Sequence, residues 1–206
     1  MDLLDVGDLV YLSTENDQVK LDQIPQAQSS LISFNPKTGE VLSYVGGSVF
    51  NDSQFDRVRQ SYPQSGSVFK PFIYASAFSR GYNPSSLIND APIIFEDENL
   101  ETFWRPENYS GKFYGLTTLR EALVQSINIV SIKLLREIGI KKSSETIDNF
   151  GFGTERLPQD LSLALGSGNF SPAEVARGFS VFANGGMISD IHYVSQIKDK
   201  NGDIIF

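Results

Sequence analysis

The sequence contains no cysteine and only one histidine, His192, among 206 residues. Without thiols and with a single imidazole, the chain cannot supply a thiolate nucleophile, a cysteine-rich zinc site or a multi-histidine metal site. We expect no cofactor. We interpret His192 as an ordinary strand residue.

Positive charge is also scarce, since 17 lysine and arginine residues stand against 25 aspartate and glutamate residues, and the net charge is -8. Proteins that bind DNA or RNA gain much of their affinity from clustered lysine and arginine. The composition therefore argues against a nucleic-acid partner.

Long apolar runs are missing too. No stretch of about 18 consecutive apolar residues occurs, and the first residues, MDLLDVGDLVYL, are acidic where a signal peptide is basic. We therefore expect neither a membrane span nor a targeting signal in these residues. The hydrophobic content of 40% is nevertheless sufficient for a buried core, and the length suits one domain or one domain with a fragment of another.

The first half of the chain predicts short strands followed by a helix. Residues 1–28 predict one or two strands with a polar turn, which we interpret as a linker or the end of a preceding small β module, separate from residues 29–206. The run LISFNPKTGEVLSYV predicts a hairpin, because Asn-Pro-Lys-Thr-Gly is a turn sequence between two β-rich segments. Residues 68–80 predict an apolar helix that begins near Ser67, because Pro71 is tolerated only in the first helical turn.

Further helices and a pair of strands are predicted in the second half. A long aromatic loop, residues 82–116, precedes a helix that begins at Thr118 and another that runs from Asn128 to Glu137. Ser171 opens a third helix with a capping box, and HYVSQIKDKNGDIIF predicts a strand, an Asn-Gly turn and the start of another strand. This order of elements favours an α+β fold in which helices pack on an antiparallel sheet.

Two pairs of serine and lysine three positions apart are candidates for chemistry, Ser67 with Lys70 and Ser195 with Lys198. Residues three apart point to opposite faces of a strand, so the second pair is not expected to meet. On a helix such residues share one face, so Lys70 is expected beside Ser67.

A serine hydroxyl becomes a good nucleophile when a neighbouring base takes its proton. Lys70 can be that base, because burial and the positive end of a helix dipole both disfavour the charged form of an amine. The N–H groups at the helix start could also stabilise an oxyanion formed at a carbonyl that Ser67 attacks. The alternative is that Ser67 only caps the helix and that Lys70 is solvated.

A second element of the same site is predicted at Ser126-Ile127-Asn128, because a short break between two helices can present a hydroxyl and an amide to a cleft. Two rival S-x-N sequences occur, at residues 33–35 in the hairpin and at residues 167–169 in a glycine turn. The alternative interpretation is an ordinary turn between helices with Asn128 as the N-cap.

Beyond these short motifs, the sequence resembles the transpeptidase domain of class A, bifunctional penicillin-binding proteins. That family combines S-x-x-K with S-x-N and K-T-G motifs. Four stretches carry the resemblance, FNPKTGEVLSYVGG, SGSVFKPFIYA, INDAPIIFEDENLETFWRPENYSGKFYGLTTLREALVQSINIVS and LSLALGSGNFSPAEVARGFSVFANGG. The resemblance implies the penicillin-binding protein/serine β-lactamase-like fold, with residues 29–206 as the N-terminal part of the transpeptidase domain.

The resemblance also implies roles for the candidate residues. Ser67 would attack the D-Ala-D-Ala bond of a peptidoglycan stem peptide, and Lys70 would take its proton. Ser126 would relay a proton, while Asn128 would hold the substrate amide. An amine from a second stem peptide would then form the crosslink, and β-lactams would acylate the same serine.

The implied setting is the extracytoplasmic (periplasmic) face of the bacterial inner membrane, with attachment only through an anchor outside these residues. One alternative is a serine β-lactamase or D,D-carboxypeptidase. Another alternative is a non-catalytic penicillin-recognising domain.

One departure from the family's pattern concerns its third motif. The only K-T-G, at residues 37–39, lies in the predicted hairpin, whereas the family's catalytic K-T-G follows the S-x-N element on a later strand. We therefore interpret residues 37–39 as turn residues. We expect the third motif beyond Phe206, and we expect residues 1–206 alone to show little or no acylation.

Trp104 lies in the aromatic loop and is a candidate substrate contact. Aromatic side chains in long loops more often pin the loop to the core, so packing is the alternative role for this residue.

Overall fold

The structure is a computed structural model that describes residues 4, 6–23, 27–51, 53–96 and 103–205. Parts of the predicted N-terminal module, the middle of the predicted aromatic loop (residues 97–102) and Phe206 lie outside the described residues.

The N-terminal residues form a hairpin of β1 (Tyr11–Glu15) and β2 (Gln18–Asp22), which pair antiparallel. Asn16 and Asp17 connect them with φ angles of 52° and 60°. Two consecutive residues with positive φ are typical of a tight hairpin turn that matches the twist of the strands. The two strands and the polar turn agree with the prediction, and the assignment of residues 1–28 to a separate module stays a prediction.

The second hairpin confirms the prediction from the Asn-Pro-Lys-Thr-Gly sequence. β3 (Leu31–Phe34) pairs antiparallel with β4 (Val41–Val45). In the turn, the Lys37 backbone N–H donates to Asn35 Oδ1 over 2.9 Å, and Gly39 has a φ of 80°. The K-T-G sequence is therefore part of a turn, and the rival S-x-N at residues 33–35 belongs to the same hairpin.

Five helices of the described residues cover the middle of the chain. They are α1 (Lys70–Phe78), α2 (Leu119–Val124), α3 (Asn128–Ile138), α4 (Ile140–Asp148) and α5 (Pro172–Ala183). A 3₁₀ turn, Gly66–Phe69, leads into α1. The predicted helix starts near residues 67, 118, 128 and 171 are confirmed, and α5 has the predicted capping box between Ser171 and Glu174. Sequence reasoning missed α4. No helix of the described residues is long and apolar enough to cross a membrane.

The remaining strands form two further pairs, β5 (Leu87–Asp90) with β8 (Gly115–Thr118) and β6 (Phe95–Glu96) with β7 (Phe103–Trp104). The prediction of residues 82–116 as one long loop is therefore wrong where these strands lie. The Asn-Gly turn predicted after His192 is present, because the backbone N–H of Asp199 donates to the Asp203 carbonyl over 2.8 Å across it. The strands predicted on either side are wrong as extended strands, since only isolated bridges join Glu40 to His192 and Lys198 to Ile204. The described strands make four two-stranded ladders, all antiparallel, and together with the packed helices they agree with the predicted α+β class.

The core centres on α1, which packs against α3 and α4. Phe69 and Phe72, just after Ser67 in the chain, are fully buried and contact Phe152 with ring centroids 5.2 Å and 4.8 Å apart. Phe69 also stacks on Phe170 at 5.4 Å. Aromatic pairs at such distances add stabilisation beyond area burial. The cluster fixes the 3₁₀ turn that carries Ser67 and the start of α1, where Lys70 lies.

Candidate active site

Ser67 lies on the 3₁₀ turn and its side chain is exposed, whereas its neighbour Phe69 is buried. The N-cap position of the turn is occupied by Ser65, so Ser67 is not the capping residue. No hydrogen bond from Ser67 Oγ is found among the described residues, and the hydroxyl is open to an incoming group. The capped-helix alternative therefore does not explain this serine.

A glycine-rich segment from a distant part of the chain holds this turn. Gly66 N–H donates to the Gly166 carbonyl over 2.8 Å, and Ser65 N–H donates to the Gly168 carbonyl over 3.1 Å. The Ser65 hydroxyl donates to both of these carbonyls at 3.1 and 3.2 Å. A Cβ atom on Gly166 would lie only 1.9 Å from the Gly66 carbonyl oxygen. Glycine at 166 therefore allows the close approach that fixes the backbone before Ser67.

Lys70 is buried, with 1% of its surface exposed, and its amine makes three hydrogen bonds. Nζ donates to the Ser126 carbonyl over 2.6 Å, to Ser126 Oγ over 3.0 Å and to Asn128 Oδ1 over 2.7 Å. Two of these acceptors carry no proton, whereas the Ser126 hydroxyl can also donate. The set can therefore satisfy a neutral amine, with two N–H groups directed to carbonyl oxygens and the lone pair facing the hydroxyl. The solvated alternative for Lys70 is wrong.

Burial lowers the pKa of Lys70 from its ordinary value of 10.5 to about 8. The cause is desolvation, which disfavours the charged amine. No described residue forms a salt bridge with Lys70 that would offset this effect. A substantial fraction of Lys70 is therefore neutral near physiological pH, as a base must be.

The S-x-N element presents two polar side chains on either side of a buried one. Ile127 is 4% exposed and anchors the segment in the core, while Ser126 has a φ of 54°. Positive φ is uncommon for residues other than glycine and clusters at functional sites. The Asn128 side chain donates through Nδ2 to the Glu107 carbonyl over 2.9 Å, which turns Oδ1 towards Lys70. The N-cap of α3 is Ile127, so the alternative role of Asn128 as N-cap is wrong.

The other sequence candidates lie elsewhere or have structural roles. Ser167 and Asn169 belong to the glycine-rich segment beside the Ser67 turn, where Ser167 Oγ hydrogen-bonds to Ser162 Oγ over 2.6 Å. Ser195 and Lys198 are both exposed. Trp104 is half-buried and packs against the core, and its contact with substrate stays a prediction.

Sequence reasoning missed two residues that hold the S-x-N element, Asp90 and Asn108. Both are buried, and the Asn108 amide donates to both Asp90 carboxylate oxygens, at 3.0 and 2.9 Å. Asn108 Oδ1 in turn accepts from the backbone N–H of Asn128 over 3.0 Å. Both residues lie within residues 82–116, for which the sequence predicts a loop, and no sequence spacing predicts a contact between them.

The site thus has an exposed serine at a helix start, a buried lysine on the next turn and an S-x-N element hydrogen-bonded to that lysine, which is the arrangement of the penicillin-recognising serine proteins. The family model of the penicillin-binding protein transpeptidase domain matches residues 30–204. The chain belongs to this family.

Named relatives agree with this membership. The chain is 43% identical over 206 residues to penicillin-binding protein 1A of Pseudomonas aeruginosa and 38% identical over 205 residues to penicillin-binding protein 1A of Escherichia coli. The alignments cover 100% of this chain but 25% and 24% of the two relatives. The chain therefore spans about a quarter of the length of the curated relatives it matches.

Solved structures show the same fold. The crystal structure of penicillin-binding protein 1A from Haemophilus influenzae matches with a TM-score of 0.88 and 36% identity, over 96% of this chain and 30% of that chain. The PonA1 protein from Mycobacterium tuberculosis in complex with penicillin V matches with a TM-score of 0.75 and 21% identity, over 88% of this chain and 51% of that chain. The predicted penicillin-binding protein/serine β-lactamase-like fold is confirmed.

The lowered pKa of Lys70 predicts the pH dependence of any reaction that uses it as a base. Below pH 8 the neutral fraction of an amine with a pKa of about 8 rises roughly tenfold per pH unit, and above pH 8 it levels off. We expect the rate of acylation by a penicillin to follow this curve between pH 6 and pH 9 in stopped-flow measurements. A rate that is constant over this range would contradict the role of Lys70 as base.

Proposed function

We propose that the protein is a serine D,D-transpeptidase that crosslinks peptidoglycan stem peptides through an acyl-enzyme on Ser67. The observation that supports this most strongly is the buried Lys70 amine, hydrogen-bonded to Ser126 and Asn128 one helical turn from Ser67. The family model of a transpeptidase domain and the relatives named penicillin-binding proteins support the same reaction.

In the acylation step, Ser67 Oγ bonds to the carbonyl carbon of the penultimate D-alanine. Its proton passes to neutral Lys70, and helix N–H groups near Ser67 favour the negative charge that develops on the carbonyl oxygen. The bond to the terminal D-alanine then breaks, and its nitrogen receives a proton through the Ser126 hydroxyl. Asn128 holds the substrate amide during this exchange, and its own amide is oriented by the Glu107 carbonyl.

In the second step, the amine of another stem peptide attacks the acyl-enzyme. The new amide bond is the crosslink, and the Ser67 hydroxyl regains its proton. A β-lactam presents a similar carbonyl and acylates the same serine. The substrate places the reaction on the extracytoplasmic (periplasmic) side of the bacterial inner membrane, with stem peptides ending in D-Ala-D-Ala as partners.

The reaction is tested with the full-length gene product, a stem pentapeptide ending in D-Ala-D-Ala and a D-amino acid as acceptor. We expect release of D-alanine and formation of the exchanged peptide, both lost in Ser67→Ala and retained in Ser195→Ala, the serine of the rival pair. Release of D-alanine without formation of the exchanged peptide would indicate a carboxypeptidase. Rapid turnover of penicillin would indicate a β-lactamase. Absence of D-alanine release by the wild-type protein would contradict a catalytic domain.

A further inference from the structure

The first residues of α3 lack a cap of their own. The N-cap position is occupied by Ile127, whose apolar side chain makes no capping hydrogen bond. Ile127 is buried at 4% exposure, so this position serves the core and not the helix end. The first N–H groups of a helix have no partner within the helix and must be satisfied from outside.

Asn108 satisfies two of these groups from a separate loop. Its Oδ1 accepts from the backbone N–H groups of Asn128 and Ile129 over 3.0 and 3.1 Å. The preceding residue, Glu107, accepts from Asn128 Nδ2 through its carbonyl over 2.9 Å. Two adjacent residues of the loop therefore fix both the backbone and the side chain of Asn128.

Asp90, at the end of β5, fixes the orientation of Asn108. The carboxylate is 1% exposed and accepts from Asn108 Nδ2 through both oxygens. The second N–H of the same amide donates to the Lys112 carbonyl over 2.8 Å, so the Asn108 oxygen can only face α3. Asp90 also accepts from the Tyr114 backbone N–H over 2.9 Å. No described residue forms a salt bridge with this buried carboxylate.

The negative charge of Asp90 is also favourable for α3. The carboxylate acts through the polarised Asn108 amide on the positive end of the α3 dipole. A chain of hydrogen bonds thus runs from Asp90 through Asn108 to Asn128 and from there to the Lys70 amine.

We infer that Asp90 and Asn108 are positioning residues for the active site, which set the place of Asn128 and, through it, the surroundings of Lys70. The inference rests on the proposed function, because it assigns these residues to the same reaction. Neither residue touches the nucleophile. Their effect is on geometry, and a displacement of about 1 Å at such a site can cost about a hundredfold in rate.

The test compares Asn108→Ala with Lys133→Met in the full-length gene product. Lys133 is a matched control, because its amine also ties α3 to the end of β5. It donates to the Asn89 and Ala91 carbonyls at 2.8 and 3.0 Å, and these hydrogen bonds do not involve Asn108 or Asn128. We expect Asn108→Ala to lower the rate constant of penicillin acylation at saturation by up to about a hundredfold. We expect Lys133→Met to lower the melting temperature while that rate constant stays near the wild-type value.

A second measurement does not depend on acylation. The titration of the Lys70 amine is followed by heteronuclear NMR in the wild-type protein and both variants. Release of Asn128 in Asn108→Ala admits water to Lys70 and shifts its titration upwards, towards the ordinary value, whereas Lys133→Met leaves it unchanged. A wild-type protein that fails to acylate would refute the proposed function, while the NMR titration would still decide the positioning role.

Exchange of the two partners gives a rescue experiment. Asn108→Asp alone places two carboxylates together and is expected to lose acylation, as in Asn108→Ala. Adding Asp90→Asn restores a donor and acceptor pair and should recover part of the lost rate.

A double variant tests whether Asn108 acts through Asn128. In a protein that already carries Asn128→Ala, the further change Asn108→Ala should lower the acylation rate only slightly, because the residue through which Asn108 acts is already missing. Equal rates and equal Lys70 titrations in Asn108→Ala and Lys133→Met, or fully additive losses in the double variant, would overturn the inference.

Discussion

Replacement of Lys70 by alanine is expected to slow acylation of Ser67 by about a hundredfold to ten-thousandfold, the usual contribution of a general base. The amine is buried, its pKa is lowered to about 8, and its three hydrogen bonds tie it to the S-x-N element. Alanine removes the base and leaves Ser126 and Asn128 without their common donor. The rate of labelling by a fluorescent penicillin, measured in the full-length gene product, gives the loss directly.

The matched control for this variant is Lys141→Ala, since Lys141 is an exposed lysine on α4. It removes the same charge from the protein without a change in the site, and its labelling rate should equal that of the wild type. Thermal unfolding of both variants separates loss of base from loss of fold. A Lys70→Ala protein that is folded and labels at the wild-type rate would rule out Lys70 as the base.

The second large effect is expected from Gly166→Ala, a change 99 positions away from Ser67 in the sequence. Its Cβ would lie 1.9 Å from the Gly66 carbonyl oxygen, where no side chain can give way because the contact is with backbone. The turn before Ser67 must therefore move, and the hydrogen bond from Gly66 N–H to the Gly166 carbonyl is strained. We expect a loss of about a hundredfold or more in acylation rate, together with a lower melting temperature.

Gly185→Ala is the control for the backbone conformation. Gly185 has a φ of 62°, close to the 72° of Gly166, but a Cβ atom there meets nothing within 4 Å. Both variants carry the cost of an alanine at positive φ, about 1 to 2 kcal/mol, and only Gly166→Ala adds the collision. Similar acylation rates in the two variants would show that the glycine-rich segment does not position Ser67.

The parts of the site that depend on neighbours in the chain could be predicted from the sequence. Pro71 and the apolar run after Ser67 fixed the helix start, and the break between α2 and α3 indicated an exposed S-x-N element. Capping residues gave the start of α5 because their hydrogen bonds are local. The hairpin around Gly39 was predictable for the same reason, since its turn chemistry lies within five consecutive residues.

The parts that depend on tertiary contacts could not be predicted. The hydrogen bonds between Asp90 and Asn108 and between Gly66 and Gly166 join residues that are far apart in the sequence, and no helical or strand repeat relates them. The short helix α4 was missed because its sequence, IKKSSETID, has few apolar residues to show a helical repeat. The strands predicted from His192 onwards are reduced to isolated bridges, because strand propensity does not determine how far a pairing with a neighbouring strand extends.

If Ser67 is the nucleophile of a penicillin-sensitive acyltransferase, a penicillin must leave its adduct on this residue. Peptide mass mapping of the full-length gene product after reaction with a penicillin locates the adduct. We expect one adduct, on the peptide that contains Ser67, which is absent from Ser67→Ala and retained in Ser195→Ala. An adduct on Ser195, or on any serine other than Ser67, would contradict this role of Ser67.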